Sequence, residues 1–218
     1  MTRLTLSFDN GPTPEITPHV LEALSKRGLK AYFFVLGKHV DTGEGRALVE
    51  RMLAEGHRVG NHSYSHEVPL GDDPRGDAVE REIVSTERLL APLLARVSSG
   101  AKLFRPFGGG GIVGPHLLNA AAERYLREAA YTCVLWNDVP HDWDDPEGWA
   151  DRALAACTPG AHRLTVLHDI PGACLAHLER FLDEARARGI EFTLDLAESC
   201  LPLVGGVARE GLPAIVRS

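Results

Sequence analysis

Cysteine is scarce, no apolar run is long, and basic charge is in deficit. Each shortage removes a class of protein. The four cysteines, Cys133, Cys157, Cys174 and Cys200, lie in the second half of the 218-residue chain and form no CxxC pair. Their spacing offers neither a zinc ribbon nor a redox centre, so buried free thiols in a reducing compartment are expected. No stretch approaches the ~20 apolar residues of a membrane span, and no membrane partner is expected. The opening MTRLTLSFDN lacks the basic start and apolar run of a secretory signal, which makes a cytoplasmic location the expectation. Lys and Arg number 23 against 30 Asp and Glu, a formal charge of −7. A nucleic-acid surface would need a basic patch, so no nucleic-acid partner is expected either.

What is present is ordinary globular material, 44% hydrophobic and 24% charged. A chain of this length buries roughly 70% of its unfolded surface and can hold a full core without staples. Short apolar runs alternate with longer amphipathic ones. Residues 3–8, 31–36, 58–60, 103–105, 132–136, 163–167 and 191–194 read as strands. Helices are expected over 17–27, 45–55, 77–96, 115–129, 147–157 and 174–188, with Gly28 and Gly56 as stop signals. This alternation predicts a single-domain α/β fold with a parallel sheet and helical crossovers. The end, PLVGGVAREGLPAIVRS, is weakly patterned and reads as a tail packed on the sheet or on a partner.

Five polar clusters follow predicted strands: SFDNGP, NHSYSH, FRPFGGGG, WNDVPHDW and VLHD. In parallel α/β folds ligand-handling residues gather at the carboxyl ends of strands, so five in register predict a site there. His62 and His66 are spaced so that, on a helical turn, both rings lie on one face and reach one cation; the bland alternative is two solvent-facing histidines. Leu70 stands where an HExxH motif would have its second His. Asp9-Asn10-Gly11-Pro12 also fits a plain strand-to-turn transition. His168 also fits a satisfied core histidine. Gly108 to Gly111 lacks the companions of a phosphate loop, and a backbone passing close to a substrate is the better reading. Trp136, Trp143 and Trp149 read as core or rim, core being the commoner place for any one of them taken singly.

Together the clusters are far more specific. Over residues 3–195 the chain resembles the polysaccharide deacetylases, carbohydrate esterase family 4, which share the chitooligosaccharide deacetylase homology domain. TFDDGP appears as SFDNGP, NH[ST]xxH as NHSYSH, RPPYG as RPFGG, the Asp-Trp motif as Asp142-Trp143, and LxH as Val166-Leu167-His168. The resemblance implies a distorted (β/α)7 barrel. It implies Asp9 as general base, Arg105 as the residue orienting it, His168 as general acid and Asp142 as its charge partner. It implies the Gly108 N–H as oxyanion donor, and His62, His66 and Asn10 as ligands of a divalent metal: zinc, or cobalt or nickel in its place. Phe107 and Trp143, inside these motifs, are the candidate substrate contacts. The implied activity is hydrolysis of a carbon–nitrogen amide bond, most simply deacetylation of an N-acetylated amino sugar. A small non-sugar amide substrate, or a metal-free carbohydrate-binding protein, are the alternatives. Nothing in the pattern sets an oligomeric state. Three positions depart from the family pattern: Asn10 replaces Asp and predicts weak metal binding, Gly108 replaces Tyr, and Val139 stands where the first Asp of DxxDW is expected.

Overall fold

The computed structural model describes residues 1–97 and 101–217. The first strand, β1 (Arg3–Asp9), explains the layout of the rest. Leu4, Leu6 and Phe8 alternate with Thr5, Ser7 and Asp9, and a strand sends successive side chains to opposite faces. The three apolar residues join a buried cluster with Val20, Leu21 and Leu24 of α1 (Thr17–Ser25) and with Trp149 and Phe181. The three polar ones are buried on the inner face of the sheet.

The chain then runs β2 (Tyr32–Val35), α2 (Gly37–Val40), α3 (Gly43–Ala54) and β3 (Arg58–Asn61). A π-helical turn, Val79–Val84, leads into α4 (Ser85–Leu94). After β4 (Leu103–Phe104) come a 3-10 turn at Gly109–Gly111, β5 (Leu118–Asn119), α5 (Ala120–Glu128), β6 (Thr132–Cys133), α6 (Trp149–Ala156), β7 (His162–His168) and α7 (Leu175–Ala187). The end contributes β8 (Glu191–Phe192), β9 (Leu203–Val204), β10 (Val207–Ala208) and β11 (Val216–Arg217). One curled sheet has the order β10-β9-β6-β4-β3-β2-β1-β7, with β8 on β1. Beyond β6 the chain meets β7 through a single parallel bridge, Asp138 to Thr165. The expected α/β architecture is thus a curled, half-barrel sheet and not a full ring of hydrogen-bonded strands. All four residues of β2 are buried, as its continuous apolar run predicts.

Several elements differ from the sequence expectation. The helix expected from 77 opens as a π-turn, from which buried Glu82 reaches the loop after β3. The helix expected over 115–129 starts only at Ala120. Asn119 caps it, its side chain accepting from the Ala122 N–H at 2.8 Å, and Leu118 and Asn119 pair with β11 instead. The weakly patterned end belongs to the fold: β9 pairs antiparallel with β6, and Leu212 and Ile215 are buried. All four cysteines are free; Cys133, Cys174 and Cys200 are buried, and burial pushes the Cys133 thiol up to about 12. Among the described residues no helix is long and apolar enough to cross a membrane.

Candidate active site

The carboxyl ends of β1 and β7 set the centre of the site. The two strands run parallel in register from Arg3–His162 to Asp9–His168, so the last pair brings Asp9 and His168 side by side. Both face the inner side and line one cavity of about 290 Å³.

Asp9 is held from below. The Arg105 side chain is fully buried, an unusual place for a guanidinium, and its donors are spoken for. Nη1 donates to Asp9 Oδ1 at 2.7 Å and to Ser7 Oγ at 2.8 Å. Nε and Nη2 donate to the carbonyls of Val134 and Leu135. Its plane lies 3.9 Å over the Phe34 ring. The other Asp9 oxygen is 3.5 Å from His62 Nε2.

His62 and His66 lie in a loop and not on the helical turn the spacing suggested. The loop folds through positive φ at Ser63 (+77°) and His66 (+58°). The two rings still meet, with centroids 5.2 Å apart. His62 Nδ1 is 2.8 Å from the Arg105 carbonyl. A carbonyl can only accept, so Nδ1 carries the proton and Nε2 presents its lone pair to the cavity. Burial pushes the His62 ring down, outweighing the upward pull of Asp9. Burial, with His62 adding, takes His66 down to about 3. Both rings are therefore neutral, the form a metal ion takes. His66 stacks on Phe107 at 3.9 Å.

Asn10 completes the donor set. It has φ +75°, and its buried Oδ1 finds no hydrogen-bond partner. A buried, unpaired carbonyl oxygen costs roughly 1–3 kcal/mol unless something else satisfies it. The freed Nε2 of His62, the neutral His66 ring and this orphaned oxygen fit a divalent cation. Among the described residues no group of three or more His, Cys, Asp or Glu side chains is set to hold a metal; the third donor of this set is an amide.

His168 is tied to buried Asp142 twice, ring Nδ1 to Oδ1 and backbone N–H to Oδ2, both at 2.8 Å. Burial alone pushes His168 down. The hydrogen bond and charge of Asp142, with Asp9 and Asp169 adding, outweigh it and raise the ring above the ordinary histidine value. Trp143 meets His168 edge-on at 4.7 Å. Gly108, at φ +132°, forms the opposite wall with Gly110 and Gly111. The glycine run therefore lies along the cavity, with its own 3-10 turn and no α-helix directly after it.

Sequence comparison bears directly on this arrangement. The polysaccharide deacetylase family profile matches residues 2–134. The chain belongs to that family. It is 34% identical over 166 residues to a chitooligosaccharide deacetylase of Rhizobium leguminosarum bv. trifolii, covering 75% of this chain and 70% of that one. It is 30% identical over 196 residues to the peptidoglycan-N-acetylglucosamine deacetylase PgdA of Listeria monocytogenes, covering 88% of this chain. The matched region spans only 38% of that relative's length. The crystal structure of the polysaccharide deacetylase Bc1974 from Bacillus cereus superposes with a TM-score of 0.75 at 26% identity, over 95% of this chain and 100% of that one.

Beyond the motif residues, the deacetylase fold recruits others that sequence reasoning passed over. Glu82 holds the histidine loop, accepting from the backbone N–H groups of Tyr64 and Ser65 and from the Ser65 hydroxyl. Asp169, fully buried behind Asn10-Gly11, accepts from the Thr17 hydroxyl, and burial pushes it up to about 7. A Cβ on Gly11 would overlap its carboxyl group. Of the three tryptophans only Trp149 is fully buried. Trp143, the candidate substrate contact, lines the cavity, and so does Trp136, a correction to the core preference there, because β6 ends at Cys133 and Trp136 lies beyond it. Val139 also lines it, while Asp138 turns away to Thr165 Oγ1 at 2.6 Å. The only hint in the sequence was the one-residue offset of that aspartate.

Proposed function

We propose that this protein hydrolyses carbon–nitrogen amide bonds, releasing acetate from N-acetylated amino sugars of an oligosaccharide. The observation that carries this reading is the facing pair Asp9 and His168, each tied to a buried partner of opposite charge. A carboxylate base and a proton-loaded imidazole, held apart by different partners, are the two halves of acid–base amide hydrolysis. The family and its deacetylase relatives support the same reaction.

Arg105, itself braced by Ser7, fixes the Asp9 carboxyl group, leaving Oδ2 to take a proton from the attacking water. The Gly108 N–H donates to the carbonyl oxygen as negative charge builds on it. His168, carrying its proton on Nε2 while Nδ1 is held by Asp142, gives that proton to the departing amine. Phe107 and Trp143 bound the substrate. His62, His66 and Asn10 would hold a divalent metal, which would supply Lewis acidity toward the attacking water and the substrate carbonyl. Two imidazoles suit zinc, with cobalt or nickel as substitutes. Asn10 brings no charge to the set, so the affinity is weak.

The test is acetate release from chitooligosaccharides by the purified protein, with and without added Zn²⁺ or Co²⁺. Metal-stimulated release is expected. No release with any added metal, in a folded protein, refutes the reading.

A further inference from the structure

Four consecutive glycines carry the wall that includes the Gly108 N–H, all at positive φ: +132°, +64°, +56° and +91°. Glycine has the largest conformational entropy to lose, so such a run does not hold a direction by itself. Supports grip its far end: Trp136 Nε1 donates to the Gly111 carbonyl at 2.7 Å, and Val139 lies against Gly111. At the near end the support is a side chain outside every motif. A Cβ built on Gly109 would sit 2.7 Å from His116 Nε2 and 3.0 Å from its Cε1. One built on Gly108 would sit 3.1 Å from His116 Cδ2 and 2.8 Å from Pro69 Cγ. The imidazole therefore packs directly against both α-carbons. His116 is itself anchored, its carbonyl accepting from the Gly71 N–H at 2.8 Å. Its Nε2 is buried and has no hydrogen-bond partner, so the ring serves by shape and not by bonding.

We propose that His116 is a positioning residue for the Gly108 N–H, its ring filling the space behind Gly108 and Gly109 where other residues would carry side chains. The proposal rests on the amide-hydrolysis reading for the role of that N–H. A donor to an oxyanion must be held in place to be useful, and losing one typically costs about 10²–10³ in rate. Loosening one costs part of that.

The test compares His116→Ala and His116→Phe with the wild type on matched N-acetyl and N-trifluoroacetyl amino-sugar substrates. Fluorine withdraws charge from the developing oxyanion, so the trifluoroacetyl reaction depends less on the donor. His116→Ala is expected to lower kcat by about ten- to a hundredfold on the acetyl substrate, with KM within about twofold, and by less than about threefold on the trifluoroacetyl one. His116→Phe, which restores a ring, is expected to recover kcat. Equal losses on the two substrates overturn the proposal. If the alanine variant does not fold, a phenylalanine variant with kcat reduced tenfold or more overturns it as well. A second readout needs no turnover. ¹⁵N relaxation should show the Gly108 and Gly109 amides gaining motion in His116→Ala while Gly205 and Gly206 stay unchanged; unaltered Gly108 and Gly109 refute the proposal. A catalytically silent wild type defeats the hydrolase reading, and the relaxation experiment still decides this one.

Discussion

Replacing Asp142 by asparagine exchanges one carboxylate oxygen for an NH2 group and should move a pH profile. The carboxylate makes two bonds to His168, to the ring Nδ1 and to the backbone N–H, both 2.8 Å long. Asparagine has one acceptor and one donor group where aspartate has two acceptors. Its oxygen stays with the backbone N–H, which cannot turn. The amide nitrogen then faces Nδ1, which must accept in place of donating. The neutral ring keeps its proton on Nε2, but the imidazolium now points a donor at a donor. An opposite charge at this range typically shifts a pKa by about 1–3 units, and each unit is worth about 1.4 kcal/mol. The raised His168 value should therefore fall by about one to two units.

Three measurements follow from that fall. The alkaline limb of the pH–kcat profile on an N-acetyl substrate should move down by about one to two units. At pH 8 kcat should drop by up to about 10–10², the fall in protonated His168 that one to two units produce. A matched activated ester, whose leaving group needs no proton, should lose less than about tenfold. Stability gives the third. A histidine raised in the folded state contributes stability that is complete below its unfolded value, about 6.5, and is lost as pH rises through the folded value. Asp142→Asn removes that contribution, so the variant is destabilised more at pH 6 than at pH 8.5. An alkaline limb that stays put would falsify the general-acid assignment of His168, as would equal losses on amide and ester.

Asn10→Asp should tighten Zn²⁺ binding by calorimetry, because a carboxylate cancels cation charge that an amide cannot; an unchanged dissociation constant removes Asn10 from the ligand set. Arg105→Met should destabilise the fold by about 3–5 kcal/mol in urea, since it leaves the Asp9 charge buried without its partner; a loss under about 1 kcal/mol rules out an energetic role for the pair. Asp169, pushed up to about 7 by burial, holds a proton in the folded state that it releases when unfolded. Its contribution to stability therefore shrinks as pH rises from about 4 to about 7, by on the order of 4 kcal/mol. Asp169→Asn should accordingly be more stable relative to wild type at pH 8 than at pH 5, and no pH dependence in that difference refutes the assignment.

Much of the site was legible because its residues sit where local sequence rules are strongest. Alternation in Leu4-Thr5-Leu6-Ser7-Phe8 sets which face Asp9 occupies. A continuous apolar run places β2, and the parallel alternation of elements puts every strand end on one side. What could not be read locally depends on partners remote in sequence. The π-turn at Val79–Val84 coincides with a single side chain, Glu82, reaching a loop 17 residues earlier. The late start of α5 reflects β11, almost a hundred residues downstream. The positive φ of Ser63 and His66 is uncommon for any non-glycine residue, less so for histidine, and Glu82, Asn61 and the Phe107 ring hold the loop that carries it.

The three departures from the family pattern sit differently in this structure. Val139 is a contact residue: it packs on Gly111 and walls the cavity, while the displaced Asp138 bridges to Thr165 and helps close the sheet onto β7. Gly108 gives up a side chain and keeps its N–H, and the space behind it is filled by His116 and Pro69. In both places packing from elsewhere in the chain makes good what the motif lacks. Asn10 is different. Its oxygen is buried without a partner, and behind it Gly11 packs so closely on Asp169 that a Cβ there would overlap the carboxyl group. An amide with no local purpose would cost stability and be free to point to solvent. One held inward, beside two neutral imidazoles, has its remaining hydrogen-bonding capacity directed at the cavity. On the proposed reading, Asn10 would keep a three-donor set for a cation while bringing one charge fewer than Asp, which would weaken the affinity without dismantling the acid and base beside it.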